Sequence, residues 1–204
     1  MKKLISLALI ICFMLSFASC TGPISDEEAV EILIPLLEKE TELNGYIYGS
    51  SFGTSQDPGD DVNAKYAKYY EVSEIDKYRS IDALKKEITA IYTVETSDIV
   101  AIYAFDGYTD TEDGGASVTP RFSETKEGVL QIDVAKEPYE MRGVIHPSTA
   151  KVKRSTRKMM KIDVEYSRFS EDGTEKIVKK ELTLKLEDGV WKLNTQTFAI
   201  KSEG

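Results

Sequence analysis

From Lys158 to Lys201 apolar and polar positions alternate with a period of two, and the alternation is broken at Asp172-Gly173 and Asp188-Gly189. Such alternation places successive side chains on opposite faces of a strand. Asp-Gly between alternating runs is a strong hairpin signal, because glycine takes a positive φ without steric cost. The stretch therefore predicts three antiparallel strands: KMMKIDVEYSRF, TEKIVKKELTLKLE and VWKLNTQTFAI. Met160, Ile162, Val164 and Tyr166 share one face of the first, and Lys161, Asp163, Glu165 and Ser167 share the other. In the second, Val178, Leu182, Leu184 and Leu186 point one way, with Lys180 as the single interruption. Trp191 and Leu193 start the third strand inward, whereas Val190, Phe198 and Ile200 fall on the other parity, so a bulge or a change of covering element is expected near Asn194. A sheet that is apolar on one face must be covered there.

The covering elements are predicted upstream. Ser25-Asp26-Glu27-Glu28 reads as a capping box, and Ala29, Ile32, Leu33, Leu36, Leu37 and Leu43 repeat at helical spacing. Pro35 lacks the donor for the Glu31 carbonyl, so a kink or a break into two short helices is expected. A second helix is predicted from Ile81 to Tyr92, capped by Ser80 and striped by Ile81, Leu84, Ile88 and Ile91. A third is predicted from Val94 to Phe105 with Ile99, Ile102 and Tyr103 inward. Tyr66, Tyr69, Tyr70 and Val72 suggest a short edge strand. Further strands are expected at Arg121–Glu124 and Val129–Val134, with Glu127-Gly128 in the turn, and at Lys151–Ser155. Helices first and strands later argue an α+β fold, with the N-terminal helices packed on one face of a curved antiparallel sheet.

The N-terminus changes the picture. Lys2 and Lys3 precede an apolar run from Leu4 to Phe17, the pattern of a secretory signal. The run ends at Phe17-Ala18-Ser19-Cys20, which resembles a bacterial lipobox, with Phe17 in place of the usual Leu. The expected organisation is a lipoprotein signal over 1–19, a lipidated tether over 20–24 and a single α+β domain over 25–204. Of the two cysteines, Cys12 lies inside the signal, so Cys20 has no partner for an internal disulfide after processing. Acylation supplies its use, and acyl chains contributing about 0.8 kcal/mol per buried CH₂ would hold the protein on the outer face of the cell membrane. The formal net charge is -9 with the signal present. An acidic chain is repelled by nucleic acid, which is excluded as a partner.

Several phrases together carry a resemblance: Leu43-Asn44-Gly45-Tyr46-Ile47-Tyr48-Gly49, then Tyr78-Arg79-Ser80-Ile81-Asp82-Ala83-Leu84, and finally Glu187-Asp188-Gly189-Val190-Trp191-Lys192-Leu193. In order and spacing the chain resembles lipoproteins of Gram-positive gut bacteria. More loosely it is similar to NTF2-like, cystatin-related α+β domains and to the small secreted inhibitors of cell-wall endopeptidases typified by IseA. The resemblance implies a cone between helices and sheet, and a binding or inhibitory role in the envelope. It transfers no functional residue.

Candidate chemistry is sparse. His146 is the only histidine and precedes Pro147. It reads as a loop or strand-end residue, and one histidine without a cysteine pair makes no multi-histidine metal site. Some NTF2-like proteins transfer protons with a carboxylate and a tyrosine. Here those would be Asp133, Asp163 and Tyr166, but strand parity sets Asp163 on the face opposite Tyr166. The acidic loops at Asp57, Asp60 and Asp61 and at Asp106, Asp110, Glu112 and Asp113 lack EF-hand spacing and read as turns. The basic run Lys151, Lys153, Arg154, Arg157, Lys158 and Lys161 either binds an anionic polymer such as teichoic acid or pairs with nearby glutamates. Eleven tyrosines are present. Those at Tyr46, Tyr48, Tyr66, Tyr69 and Tyr70 suit peptide or glycan contact, with core packing as the alternative.

The sequence thus points to a non-catalytic, cofactor-free envelope lipoprotein, tethered to the bilayer through acylated Cys20 and binding or inhibiting an envelope protein or glycan. The alternatives are a small-ligand carrier using the cone and an NTF2-like enzyme.

Overall fold

A computed structural model describes residues 23–59, 65–73, 77–109, 117–136, 143–170 and 173–197. Cys20, the predicted signal over 1–19, and the predicted end of the third strand at Phe198 and Ile200 lie outside the described residues.

The capping box forms as expected: the Glu28 amide donates to Ser25 Oγ at 3.2 Å and the Ser25 amide to Glu28 Oε2 at 2.8 Å. Helix α1 runs from there over Asp26–Ile47 without interruption. The expected break at Pro35 does not occur. Pro35 and Glu31 both lie on the exposed side of the helix, where water can serve the carbonyl that proline leaves without a donor. The buried stripe of α1 is Ala29, Leu33, Leu36, Leu37, Glu40, Leu43, Asn44 and Ile47.

Helix α2 spans Ile81–Ile91 and is capped by Ser80, whose hydroxyl accepts from the Ala83 amide at 3.1 Å. Leu84, Ile88 and Ile91 are its buried stripe. Helix α3 spans Val94–Ala101 and opens into a π-helical turn over Ile102–Asp106. Its facing corrects the sequence reading. Ile99 is 58% exposed and Ile102 46%, and Thr96, Ser97, Val100 and Ala104 are buried instead. The reason lies at the helix start. The Thr93 amide donates to the Leu193 carbonyl at 2.9 Å and its hydroxyl to Asn194 Oδ1 at 3.0 Å, which fixes the rotation of α3 from its cap.

Among the described residues the strands form two larger antiparallel sheets and one two-stranded ladder, where the sequence predicts one curved sheet. Strands β1 (Tyr69–Glu71), β4 (Phe122–Glu124) and β5 (Leu130–Asp133) pair in the order β1-β5-β4. Gly128 turns β4 into β5 at φ 79°. Between β1 and β4 lie β2 (Tyr108–Thr109) and β3 (Ser117–Val118), a two-residue ladder. Strands β6 (Gly143–Ser155), β7 (Met159–Phe169), β8 (Glu175–Glu187) and β9 (Val190–Leu193) form a four-stranded meander in sequence order. Met160 faces Leu184 and Ile162 faces Leu182 across β7 and β8, and all four are fully buried. Strand β6 begins well before the predicted Lys151, because bulges at His146/Lys151 and Val152/Arg154 break the alternation that would announce it. The third strand ends at Leu193 in place of the bulge expected one residue later.

Helix α1 packs on β6 and on α2 and reaches β9. Its start is tied to the edge of β6: Asp26 Oδ1 accepts the Val152 amide at 2.7 Å, and the Ile24 amide donates to Ser155 Oγ at 3.0 Å. The buried side chains of helices and both sheets join in one hydrophobic cluster. Truncating a fully buried member such as Leu33 or Ile162 to alanine would cost about 2–5 kcal/mol. The fold class is α+β.

Candidate ligand-binding depression

Strand β1 is an edge strand, paired through Tyr69↔Asp133, Tyr70↔Ile132 and Glu71↔Gln131. Among the described residues its free side is only partly covered. The Ser55 amide donates to the Glu71 carbonyl and the Ser73 amide to the Gly53 carbonyl, both at 2.9 Å, so the loop after α1 closes over the strand's C-terminal end. Beside this seam lies an open depression of about 410 Å³ lined by Gln56, Lys68, Tyr69, Tyr70, Glu71 and Gln131.

The wall is rigid. The Tyr69 hydroxyl donates to the Pro120 carbonyl at 2.6 Å. Burial first, then the negative charge of Asp133, pushes the Tyr69 pKa up, so the phenol stays neutral. Asp133 is itself buried. Its Oδ1 accepts the Lys68 amide at 2.8 Å and the Ala135 amide at 3.1 Å, and Oδ2 accepts the Thr119 hydroxyl at 3.5 Å. Its carboxylate therefore fastens the end of β5 to the approach of β1. Burial lowers the pKa of nearby Lys136, against the attraction of Asp133.

The five predicted tyrosines separate in space. Tyr69 and Tyr70 line the depression, and Tyr66 is 72% exposed. Tyr46 packs edge-on against Phe52 at 4.8 Å and Tyr78 at 5.0 Å between ring centroids. Tyr48 is 1% exposed, stacked on Tyr103 at 4.9 Å, and its hydroxyl accepts from Gln196 Nε2 at 2.9 Å. Tyr46 and Tyr48 thus serve the core, and only the other three can meet a ligand.

The other candidates do not converge. Asp163 faces Lys153 at 3.5 Å on the outer side of the meander. Tyr166 lies on the inner parity with the Lys180 ammonium 5.0 Å from its ring centroid, and Asp133 sits in the other sheet. His146 stands within β6, not in a loop or at a strand end, with Nε2 2.7 Å from Ser167 Oγ. Three members of the basic run are paired: Lys151 with Asp26 at 3.0 Å, and Lys153 and Lys161 with Glu181 at 2.9 Å each. Asp57 Oδ1 accepts the Gly59 amide at 3.0 Å and so builds a turn; Asp60, Asp61, Asp110, Glu112 and Asp113 lie outside the described residues. Among the described residues, no group of three or more His, Cys, Asp or Glu could hold a metal ion, and no helix is long and apolar enough to cross a membrane.

The sequence reading missed a polar knot beneath α1. Glu40 is 1% exposed. Its Oε1 accepts the Tyr92 hydroxyl at 2.7 Å and the Thr197 amide at 3.0 Å, and its Oε2 accepts the Thr197 hydroxyl. Lys180 approaches from β8 and donates to the Thr197 carbonyl. Burial pushes the Glu40 carboxyl above the usual range, opposed by its hydrogen bonds and by the Lys180 charge. Burial, and then the Glu40 charge, raises the Tyr92 pKa, and burial lowers that of Lys180. The signal was present: Glu40 falls on the α1 stripe one turn after Leu36 and Leu37, and Lys180 on the inward parity of β8. Leu33, Leu37, Ile162, Val164 and Leu182 belong to the same buried hydrophobic cluster.

The sequence matches no protein-family model, and a search of curated proteins finds no match.

Proposed function

We propose that this chain is a lipid-anchored, non-catalytic binding module of the cell envelope, and that the depression beside Tyr69 and Tyr70 takes an envelope glycan. The lipobox-like Phe17-Ala18-Ser19-Cys20 supports the address. One observation carries the activity: the polar side chains of Gln56, Lys68, Glu71 and Gln131 gather with Tyr69 and Tyr70 of β1 around an open concavity. Sugars present apolar C–H faces that stack on aromatic rings and hydroxyl pairs that planar amides and carboxylates can bridge. On this reading the helix-over-sheet arrangement is a variant of the NTF2-like or cystatin-like cone, with its interior filled and its binding surface moved to the second sheet.

The test uses the full chain in detergent micelles and isolated peptidoglycan sacculi. Gln56 and Glu71 are exposed, so Gln56→Ala with Glu71→Ala leaves the fold intact. The double variant is expected to reduce co-sedimentation at least tenfold, and unchanged co-sedimentation would reject the glycan. In cells, Cys20→Ala is expected to move the protein out of the acylated membrane fraction. Retention there would reject the anchor.

A further inference from the structure

Strand β9 pairs with β8 only from Leu184 to Glu187. Beyond that point the Asn194 amide donates to the Thr183 carbonyl at 2.8 Å and the chain bends away. Because Thr183 directs its carbonyl away from β7, so do the odd-numbered residues before it, since N–H and C=O of one residue point to the same side of an antiparallel strand. Among the described residues, no main-chain partner meets Glu175, Ile177 and Lys179 on that side. The open stretch carries one exposed large apolar side chain, Ile177. Val144, Ser167 and Ile177 lie in one cross-strand row, with Val144 51% and Ile177 57% exposed. Edges of this kind are templates for strand addition.

We propose that this edge pairs with a second copy of the chain, antiparallel, about a two-fold axis through Ile177. That register sets Ile177 opposite Ile177, Glu175 opposite Lys179 twice, and Lys176 beside Val178 twice. It packs the exposed Ile177 against its own copy and gives every charge at Glu175 and Lys179 an opposite partner. Neither lysine, Lys176 or Lys179, has an ion pair among the described residues of its own chain. The free stretch from Glu175 to Lys179 fits between the hairpin bond of Ser170 to Thr174 and the bond that Asn194 makes to Thr183. About six main-chain hydrogen bonds would form, two for each facing pair of Glu175, Ile177 and Lys179. Shifting the register by one residue would flip Ile177 to the wrong face, and centring it on Lys179 would oppose like charges. The isologous contact is closed, so it yields a dimer and not a filament. Two copies would present two Tyr69–Tyr70 depressions to one polymer, but the dimer does not depend on the glycan reading.

Sedimentation equilibrium of the full chain in density-matched detergent tests the pairing. The wild type is expected to dimerise with concentration. Lys179→Glu and Glu175→Lys should each weaken the dimer at least tenfold, and the two together should restore it. Lys179→Pro, placed where the amide faces outward and proline is tolerated, should abolish the dimer while leaving the circular dichroism spectrum unchanged. A monomer at all concentrations, a dimer indifferent to these changes, or a double variant that fails to recover would overturn the proposal. So would slow amide exchange at Ile177 and Lys179 in the monomer, which would mean that the chain covers its own edge.

Discussion

The Tyr92 hydroxyl donates to the Glu40 carboxylate across 2.7 Å in the middle of the core, joining the end of α2 to the centre of α1. The same carboxylate takes the amide and hydroxyl of Thr197. One buried acid therefore fastens the roof helix, the α2–α3 junction and the segment that follows the meander. Tyr92→Phe removes one donor and leaves the acid less satisfied, at a cost of about 1–3 kcal/mol. Urea denaturation should show that loss, and it should shrink in a Glu40→Leu background. An unchanged loss there would mean that Tyr92 does not act through Glu40.

The raised pKa of Glu40 gives stability a sign. The folded chain holds this proton more tightly than the unfolded one, whose ordinary value is 4.5. The Glu40 contribution to stability is therefore greatest at low pH, falls as pH rises from that ordinary value through the raised folded value, and stays low above it. Glu40→Gln keeps a hydrogen-bond acceptor but cannot titrate. Denaturation midpoints measured from about pH 4 to pH 9 should lose this descending component in the variant. Parallel profiles would exclude Glu40 as the source.

Glu181 acts in the opposite direction. Hydrogen bonds from Lys161 and then Lys153 hold its carboxyl down at about 2, against an ordinary value of 4.5. Its contribution is present above that ordinary value and is lost as pH falls toward the depressed one. Glu181→Gln should flatten the acid limb of the stability profile. Added salt should flatten it too, because the triad is solvent-exposed. An acid limb unaffected by either would count against the triad.

Pro35 lies inside a continuous helix. Proline in a helix interior costs about 3 kcal/mol relative to alanine. On the exposed face, where water can reach the Glu31 carbonyl, part of that cost is relieved. Pro35→Ala should raise stability by about 1–3 kcal/mol by chemical denaturation. A loss of stability would show that the helix path depends on the proline.

Much of the meander was legible because two independent signals agree there. Period-two parity assigned Met160, Ile162, Leu182, Leu184 and Leu193 to the core, and all are fully buried. Gly173 and Gly189 take φ of 80° and 77°, as the Asp-Gly turns require. Parity failed where bulges interrupt it, so the first half of β6 was hidden, with His146 inside it. The facing of α3 was hidden for another reason: it is set by contacts of Thr93 with Leu193 and Asn194, about a hundred residues away. The candidate site was half legible. Tyrosines close in sequence were grouped, but Tyr46 and Tyr48 end a helix that faces inward, while Tyr69 and Tyr70 stand on an edge strand. Gln56 and Gln131 join them only through pairing between distant segments. Glu40 is legible from its helical position alone, as a charge on the apolar stripe of α1.

The glycan reading is tested most directly by amide chemical-shift mapping of the isotope-labelled full chain in micelles, titrated with soluble peptidoglycan fragments. Shifts confined to Gln56, Lys68–Glu71 and Gln131 that saturate, and that disappear in the Gln56→Ala, Glu71→Ala double variant, are predicted. No shifts at those residues, or shifts gathered instead on the β8 edge, would contradict it.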